Sequence, residues 1–345
     1  MQNGLKRAHF FCLQILTMKK TAVILANLGT PDSPTPESVA KFLKSFLSDS
    51  RVVEAPRLIW WFVLRMIIIP LRKKKVAHSY QQIWWEEGSP LRLITERQVV
   101  ALQEELRKKF VDRSPLVASA MTYGEPSLAT TVKRLQEMGV DQFLIVPMYP
   151  QYSASTTGAI YDQLADIVRG SRDVPDFSVV KSFQNYPAYI ENLANSIRSS
   201  WGKNGRHEKL LMSFHGVPQE YVDKGDPYYC HCRETAELVA VNLGLAESDW
   251  AMSFQSRFGP KQWLQPYTDE LLIKWASEGV RSVDVISPAF VTDCLETLEE
   301  LDVTYRQVFT DAGGSHYQYI SCLNDSSDFI QTLAEIVSDR LLPRS

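Results

Sequence analysis

From residue 21 onward, short apolar runs alternate with longer segments whose apolar positions recur at i, i+3 and i+4. The runs lie at 22–28, 116–122, 142–148, 177–183, 209–214, 251–255, 283–289 and 317–322, each the length of a strand. Stretches between them, such as 91–110 (LRLITERQVVALQEELRKKF) and 127–138, carry the helical period. Runs apolar on both faces and separated by helices predict parallel strands covered on both sides. The alternation predicts an α/β fold, doubly wound, with right-handed crossovers.

A weak internal repeat adds to this. Met138, Gly139 and Val140 followed by DQFLIVPMYP resemble Glu278, Gly279 and Val280 followed by RSVDVISPAF, and MTYGEPSL (121–128) echoes SRFGPKQWL (256–264). The expectation is two related four-stranded halves facing each other across a cleft, divided near 150–155. The first would take 18–150 plus 323–345 and the second 151–322, with the amphipathic segment 327–341 packing back on the first half. Residues 1–17 only faintly imitate a signal peptide. They are set aside as an N-terminal extension, with Met1 or Met18 as the start.

Length and composition narrow the classes. A chain of 345 residues, 45% hydrophobic and 22% charged, can bury two cores, which excludes a disordered or disulfide-framework protein. A net charge of −3 with no long block of one sign argues against a nucleic-acid partner. Five cysteines suit reduced thiols, and no apolar run is long enough to span a bilayer, so a cytoplasmic protein is expected.

Most polar, Gly- and Pro-rich segments fall at strand carboxyl ends, where open α/β sheets bind ligands. No G-x-G-x-x-G follows the first strand and no P-loop is present, so nucleotide chemistry is demoted. Ser153 to Gly158 could cap a helix and offer N–H groups to an anion, or be caps alone. His215 stands past an apolar strand and before Gly-Val-Pro, a turn that aims its ring at the cleft; most such histidines merely pack. Asp293, Glu296 and Glu300 are spaced to share one helix face that starts at a strand end. Such charges are usually solvated, yet a His and a carboxylate on facing elements can share a proton or bind a divalent metal. Cys230, His231 and Cys232 could belong to a metal site but are more closely spaced than a usual metal motif, and the two thiols read as buried and inert near a helix start. Residues 58–75 (LIWWFVLRMIIIPLRKKK) read either as a buried helix or as an apolar lip admitting a flat greasy substrate or touching a membrane.

Six stretches together, VILANLGTP, WWEEGSPL, YPQYSASTTG, SFHGVP, FQSRFGPKQWLQPYTDE and DCLETLEELD, resemble the ferrochelatase family over nearly the whole chain. The resemblance implies two Rossmann-like domains of chelatase type with a porphyrin cleft between them. It implies that His215 and Glu296 are the active-site pair that meets the metal, with Asp293 and Glu300 continuing as a proton path. Trp263, Ser89, Tyr123, Leu28 and, less directly, Arg51 match porphyrin-contacting positions. Cys294 stands where mitochondrial members have His, Thr122 where some have Arg, and Ala154 where animal members have a cluster-ligating Cys. No iron–sulfur cluster or permanently bound cofactor is therefore expected. The implied activity is insertion of Fe2+ into protoporphyrin IX by a bacterial-type enzyme; the apolar patch 58–75 with Arg72, Lys73, Lys74 and Lys75 separately suggests peripheral membrane contact. The alternatives are a tetrapyrrole- or metal-binding protein without turnover, a chelatase for another divalent metal, and a glycosyltransferase of similar layout.

Overall fold

The computed structural model describes residues 20–111 and 113–341. The expectation for residues 1–17 lies outside them. Each expected strand is present: β1 (Lys20–Asn27), β2 (Leu116–Met121), β3 (Val140–Pro147), β4 (Asp176–Val179), β5 (Lys209–His215), β6 (Trp250–Gln255), β7 (Ser282–Ile286) and β8 (His316–Ile320). They form two four-stranded sheets, ordered β2-β1-β3-β4 and β6-β5-β7-β8, parallel throughout. The strand order is the same in both halves. Along β1, Ala22 and Ile24 pack under the helices Leu128–Glu137 and Ala159–Gly170. Val23 and Leu25 join a larger core that includes Leu210, Met212 and Ile286 of the second half and Phe329 of the C-terminal segment. Burial on both faces is why these runs lack polar alternation.

The division expected near 150–155 falls too early. β4 pairs with β3 through Gln142↔Asp176 and Ile145↔Val179, so the first sheet continues past Pro150. Without β4, one edge of β3 would expose unpaired backbone groups. The helix Ser327–Leu341 does pack on Pro90–Lys109, returning the chain to the first half.

The register refines the repeat. The Met121 N–H donates to the Pro126 carbonyl (2.7 Å) and the Phe254 N–H to the Pro266 carbonyl (2.8 Å). The counterpart of Pro126 is thus Pro266, and the connection in the second half (254–266) is longer than in the first (121–126). Since Asn27 pairs with Met121 and Phe214 with Phe254, Leu28 and His215 occupy equivalent places at the ends of β1 and β5. Each precedes a glycine with no room for a side chain. A Cβ on Gly29 would lie 1.7 Å from the Tyr123 carbonyl oxygen, and one on Gly216 2.8 Å from that of Gln255.

Candidate active site

His215 ends β5 beside Gln255, the last residue of β6. Its Nδ1 is buried with no hydrogen-bond partner among the described residues, although the residue keeps some accessible surface. The Tyr228 hydroxyl donates to the His215 carbonyl (2.8 Å), and Phe290 stands edge-on to the ring (centroids 6.1 Å, 81°). Burial holds the imidazole pKa below its ordinary value, and the negative charge of Glu296 partly opposes that. At neutral pH His215 is therefore an uncharged ring with an unused nitrogen, able to take a proton or a metal ion.

Glu296 opens a π-helix, Glu296–Thr304, just beyond β7. Its carbonyl accepts from Gln255 Nε2 (2.8 Å), tying the helix start to the end of β6. The wider turn puts Glu300 on the same side, while Glu299 turns to the first half and accepts from Ser79 (3.0 Å). Glu300 accepts from Ser256 N (2.9 Å), Gln255 Nε2 (3.1 Å) and Tyr305 Oη (2.9 Å), and from the Ser256 hydroxyl. Burial raises its pKa; the donors work against that.

Asp293 does not share the helix face with Glu296 and Glu300. It precedes the helix and is 4% exposed, accepting from Thr297 Oγ1 (2.9 Å), Tyr319 Oη (2.7 Å) and Asn324 Nδ2 (2.7 Å). A short buried carboxylate at a helix entry collects donors locally, and the i, i+3 spacing does not reveal this. Ser153 to Gly158 form a π-turn whose anion place is taken from within: Asp226 accepts from Ser153 Oγ (2.9 Å) and Ala154 N (2.7 Å). His231 Nδ1 accepts from the Tyr152 N–H (3.2 Å), and no cluster of metal-ligating side chains lies beside it among the described residues.

Trp263 lies over Gly216, where an added Cβ would be 3.1 Å from Trp263 Cε3, and its indole donates to the Phe258 carbonyl (2.9 Å). In the first half, the half-buried Leu28 packs in an apolar cluster with Tyr123. Tyr123 donates to Asp49 (2.8 Å), and Ser89 accepts from Thr30 Oγ1 (2.9 Å). Arg51 is held in a fork by Asp162 (2.7 and 3.0 Å). Two first-half tyrosines escaped the sequence reading as site residues. The Tyr149 hydroxyl is buried without a partner among the described residues. Burial raises its pKa and that of Tyr80, and the charge of Glu296 adds to both shifts. The position of Tyr149 and Phe290 after strand ends was a usable signal, whereas Tyr80 sits in an ordinary helix (Ile69–Ile83).

The segment 58–75 is helical: Arg57–Val63, a π-turn at Leu64–Ile68, then Ile69–Ile83. Leu64 is fully buried, while Leu58, Phe62, Met66 and Leu71 are 81, 61, 70 and 75% exposed, so the segment is not a core helix. Arg72 lies over the Phe258 ring of the second half (4.5 Å).

The ferrochelatase family model matches residues 20–341. The chain is 46% identical over 323 residues to a ferrochelatase of Aliivibrio fischeri, spanning 94% of this chain and 98% of that one. It is 45% identical over 329 residues to one from Acinetobacter baylyi, spanning 95 and 96%. Among solved structures, SirB from Bacillus subtilis with Fe3+ is similar at TM-score 0.53 and 11% identity, covering 93% of this chain and 95% of that one. CbiX, described as the terminal enzyme of sirohaem biosynthesis in denitrifying bacteria, is similar at TM-score 0.52 and 12% identity, covering 93 and 100%. At such identities the structural likeness speaks to fold alone.

Proposed function

Since the chain belongs to the ferrochelatase family and so catalyses insertion of Fe2+ into protoporphyrin IX, a lyase reaction of haem biosynthesis yielding protohaem and two protons, we propose that His215 and Glu296 are its insertion pair. The reaction makes three demands. Two pyrrole protons must leave, the ion must shed water, and the macrocycle must bend so that a nitrogen lone pair meets the ion. The unpartnered Nδ1 of His215 is the observation that carries the assignment. A neutral buried imidazole accepts a proton without first losing one. Glu296, whose charge reaches both His215 and Tyr149, presents the ion or carries protons outward; carboxylate and imidazole both suit Fe2+.

Leu28 and Trp263 would form opposing walls of the porphyrin cleft, with Ser89 and Tyr123 lining the first half. Arg51 would meet a propionate only after exchanging Asp162 for it. Glu300, already engaged by its donors, would take protons onward from Glu296. In an anaerobic assay that follows loss of porphyrin fluorescence, His215→Ala and Glu296→Ala are each expected to lose at least about a hundredfold in turnover with circular dichroism unchanged. Near-normal insertion by either would refute its assignment.

The reading extends to location and cofactor. No helix among the described residues is long and apolar enough to cross a membrane. A cytoplasmic enzyme resting its lip on the membrane would collect its poorly soluble substrate there. Leu58, Ile59, Trp61, Phe62, Met66, Ile67 and Leu71 supply apolar contact, and Arg72, Lys73, Lys74 and Lys75 suit anionic headgroups. An iron–sulfur cluster has no part in this mechanism. Burial pushes the thiols of Cys232, Cys294 and Cys322 up, which favours the protonated form over the thiolate that a cluster needs.

A further inference from the structure

Ser256, directly after β6, has φ +66°, a left-handed conformation that only Asn324 shares with it among the described non-glycine residues. A serine side chain disfavours that region, so the surroundings must hold it there. The holding group is one carboxylate. Glu300 accepts the Ser256 N–H on Oε1 (2.9 Å) and the Ser256 hydroxyl on Oε2. In the first half the chain passes straight from Met121 to Pro126. In the second, the left-handed residue launches the longer connection 254–266. That connection lays Trp263 on Gly216, next to His215, and the Trp263 indole closes it by donating to the Phe258 carbonyl (2.9 Å).

We propose that Ser256 and Glu300 form a positioning pair that sets the Trp263 wall of the porphyrin cleft against His215, so that Glu300 serves porphyrin placement as well as any proton traffic. The inference rests on Trp263 being a wall of that cleft. Ser256 touches neither metal nor proton, and its loss acts on how the macrocycle is seated.

The test is a fluorescence titration of the intact protein with protoporphyrin in the absence of iron, together with steady-state KM values for porphyrin and Fe2+. Ser256→Ala keeps the strained turn but removes the hydroxyl donor, and is expected to weaken porphyrin binding and raise its KM about tenfold. The KM for Fe2+ is expected to stay as in the parent. Ser256→Asn, which tolerates left-handed backbone and offers an N–H donor, is expected to restore most of the affinity. If Ser256→Ala does not fold, Ser256→Gly takes the turn without strain, keeps the backbone bond and is expected to weaken binding in the same direction. Parent-like porphyrin affinity in the Ala or Gly variant would overturn the proposal, as would a loss accompanied by a shifted Fe2+ KM. Trp263→Ala in the same titration separates the two ideas. Normal binding there removes the wall and this inference with it, while weak binding there beside normal binding in Ser256→Ala removes the positioning pair alone. His215 and Glu296 stay intact throughout, so the insertion-pair assignment is not at stake.

Discussion

Asp293→Asn separates a structural hub from a proton carrier. Asp293 Oδ1 accepts from Thr297 and Tyr319, and Oδ2 from Asn324 Nδ2. Asparagine can keep the first two bonds on its carbonyl oxygen but turns an NH2 toward the Asn324 NH2, donor against donor. Asn324 cannot flip without losing the bond that its Oδ1 accepts from the Asp293 N–H (2.9 Å). Losing one charge-assisted bond at a buried site costs about 2–3 kcal/mol. For a chain of this size that is a fall of roughly 3–4 °C in Tm. Asp293→Ala strands the Thr297, Tyr319 and Asn324 donors and the longer Cys322 N–H bond (3.4 Å), and costs about 4 kcal/mol or more. The assay pairs thermal melting with a pH profile of insertion per folded molecule. Turnover is expected to fall modestly because the turn leading to Glu296 loosens, with the shape of the profile preserved. An unchanged Tm together with a displaced profile would refute the reasoning and return Asp293 to the proton path.

Other outcomes follow from the same geometry. Burial lowers the His215 pKa, so the acid limb of insertion is expected below the ordinary imidazole value of about 6.5. Glu296→Gln removes the charge that opposes this and is expected to move any residual limb further down; an upward shift in direct titration of His215 would contradict that cause. Asp162→Asn frees Arg51 and is expected to lower the porphyrin KM by up to about fivefold, the scale of a half-exposed ion pair; no change would leave Arg51 without a substrate role. Replacing Leu58, Phe62 and Leu71 with Ser is expected to abolish flotation with anionic vesicles at low salt while leaving Tm unchanged, and equal flotation by parent and variant would exclude the lip. Purified protein is expected to contain no acid-labile sulfide, and a stoichiometric amount would overturn the cluster-free mechanism.

The strands were legible because parallel strands buried on both faces leave uninterrupted apolar runs, as in Ala22 to Leu25. The location of the site was legible for a related reason: His215, Tyr149, Phe290 and Glu296 all follow strand carboxyl ends. Sheet membership was not. β4 joins β3 across the apparent break at Pro150, and edge pairing of that kind leaves no local mark. Nor were the π-turns. Asp293 left the expected face for another reason: the helix begins only after it, and its carboxylate is held by Thr297, Tyr319 and Asn324. Asp226 filling the anion place at Ser153 and Ala154 likewise depends on a residue distant in sequence. The repeat was visible, but Pro260 looked like the counterpart of Pro126 because the connection carrying Ser256 and Trp263 is longer than its partner.

The central claim is that His215 and Glu296 act on one step as a unit. A double-mutant cycle of single-turnover insertion rates tests it directly, using His215→Ala, Glu296→Gln and the double variant with anaerobic Fe2+ and protoporphyrin. Groups that act together are strongly non-additive, so the double variant is expected to be no slower than His215→Ala alone, within about threefold. A double variant slowed by the product of the two single losses would show two independent roles and contradict the account.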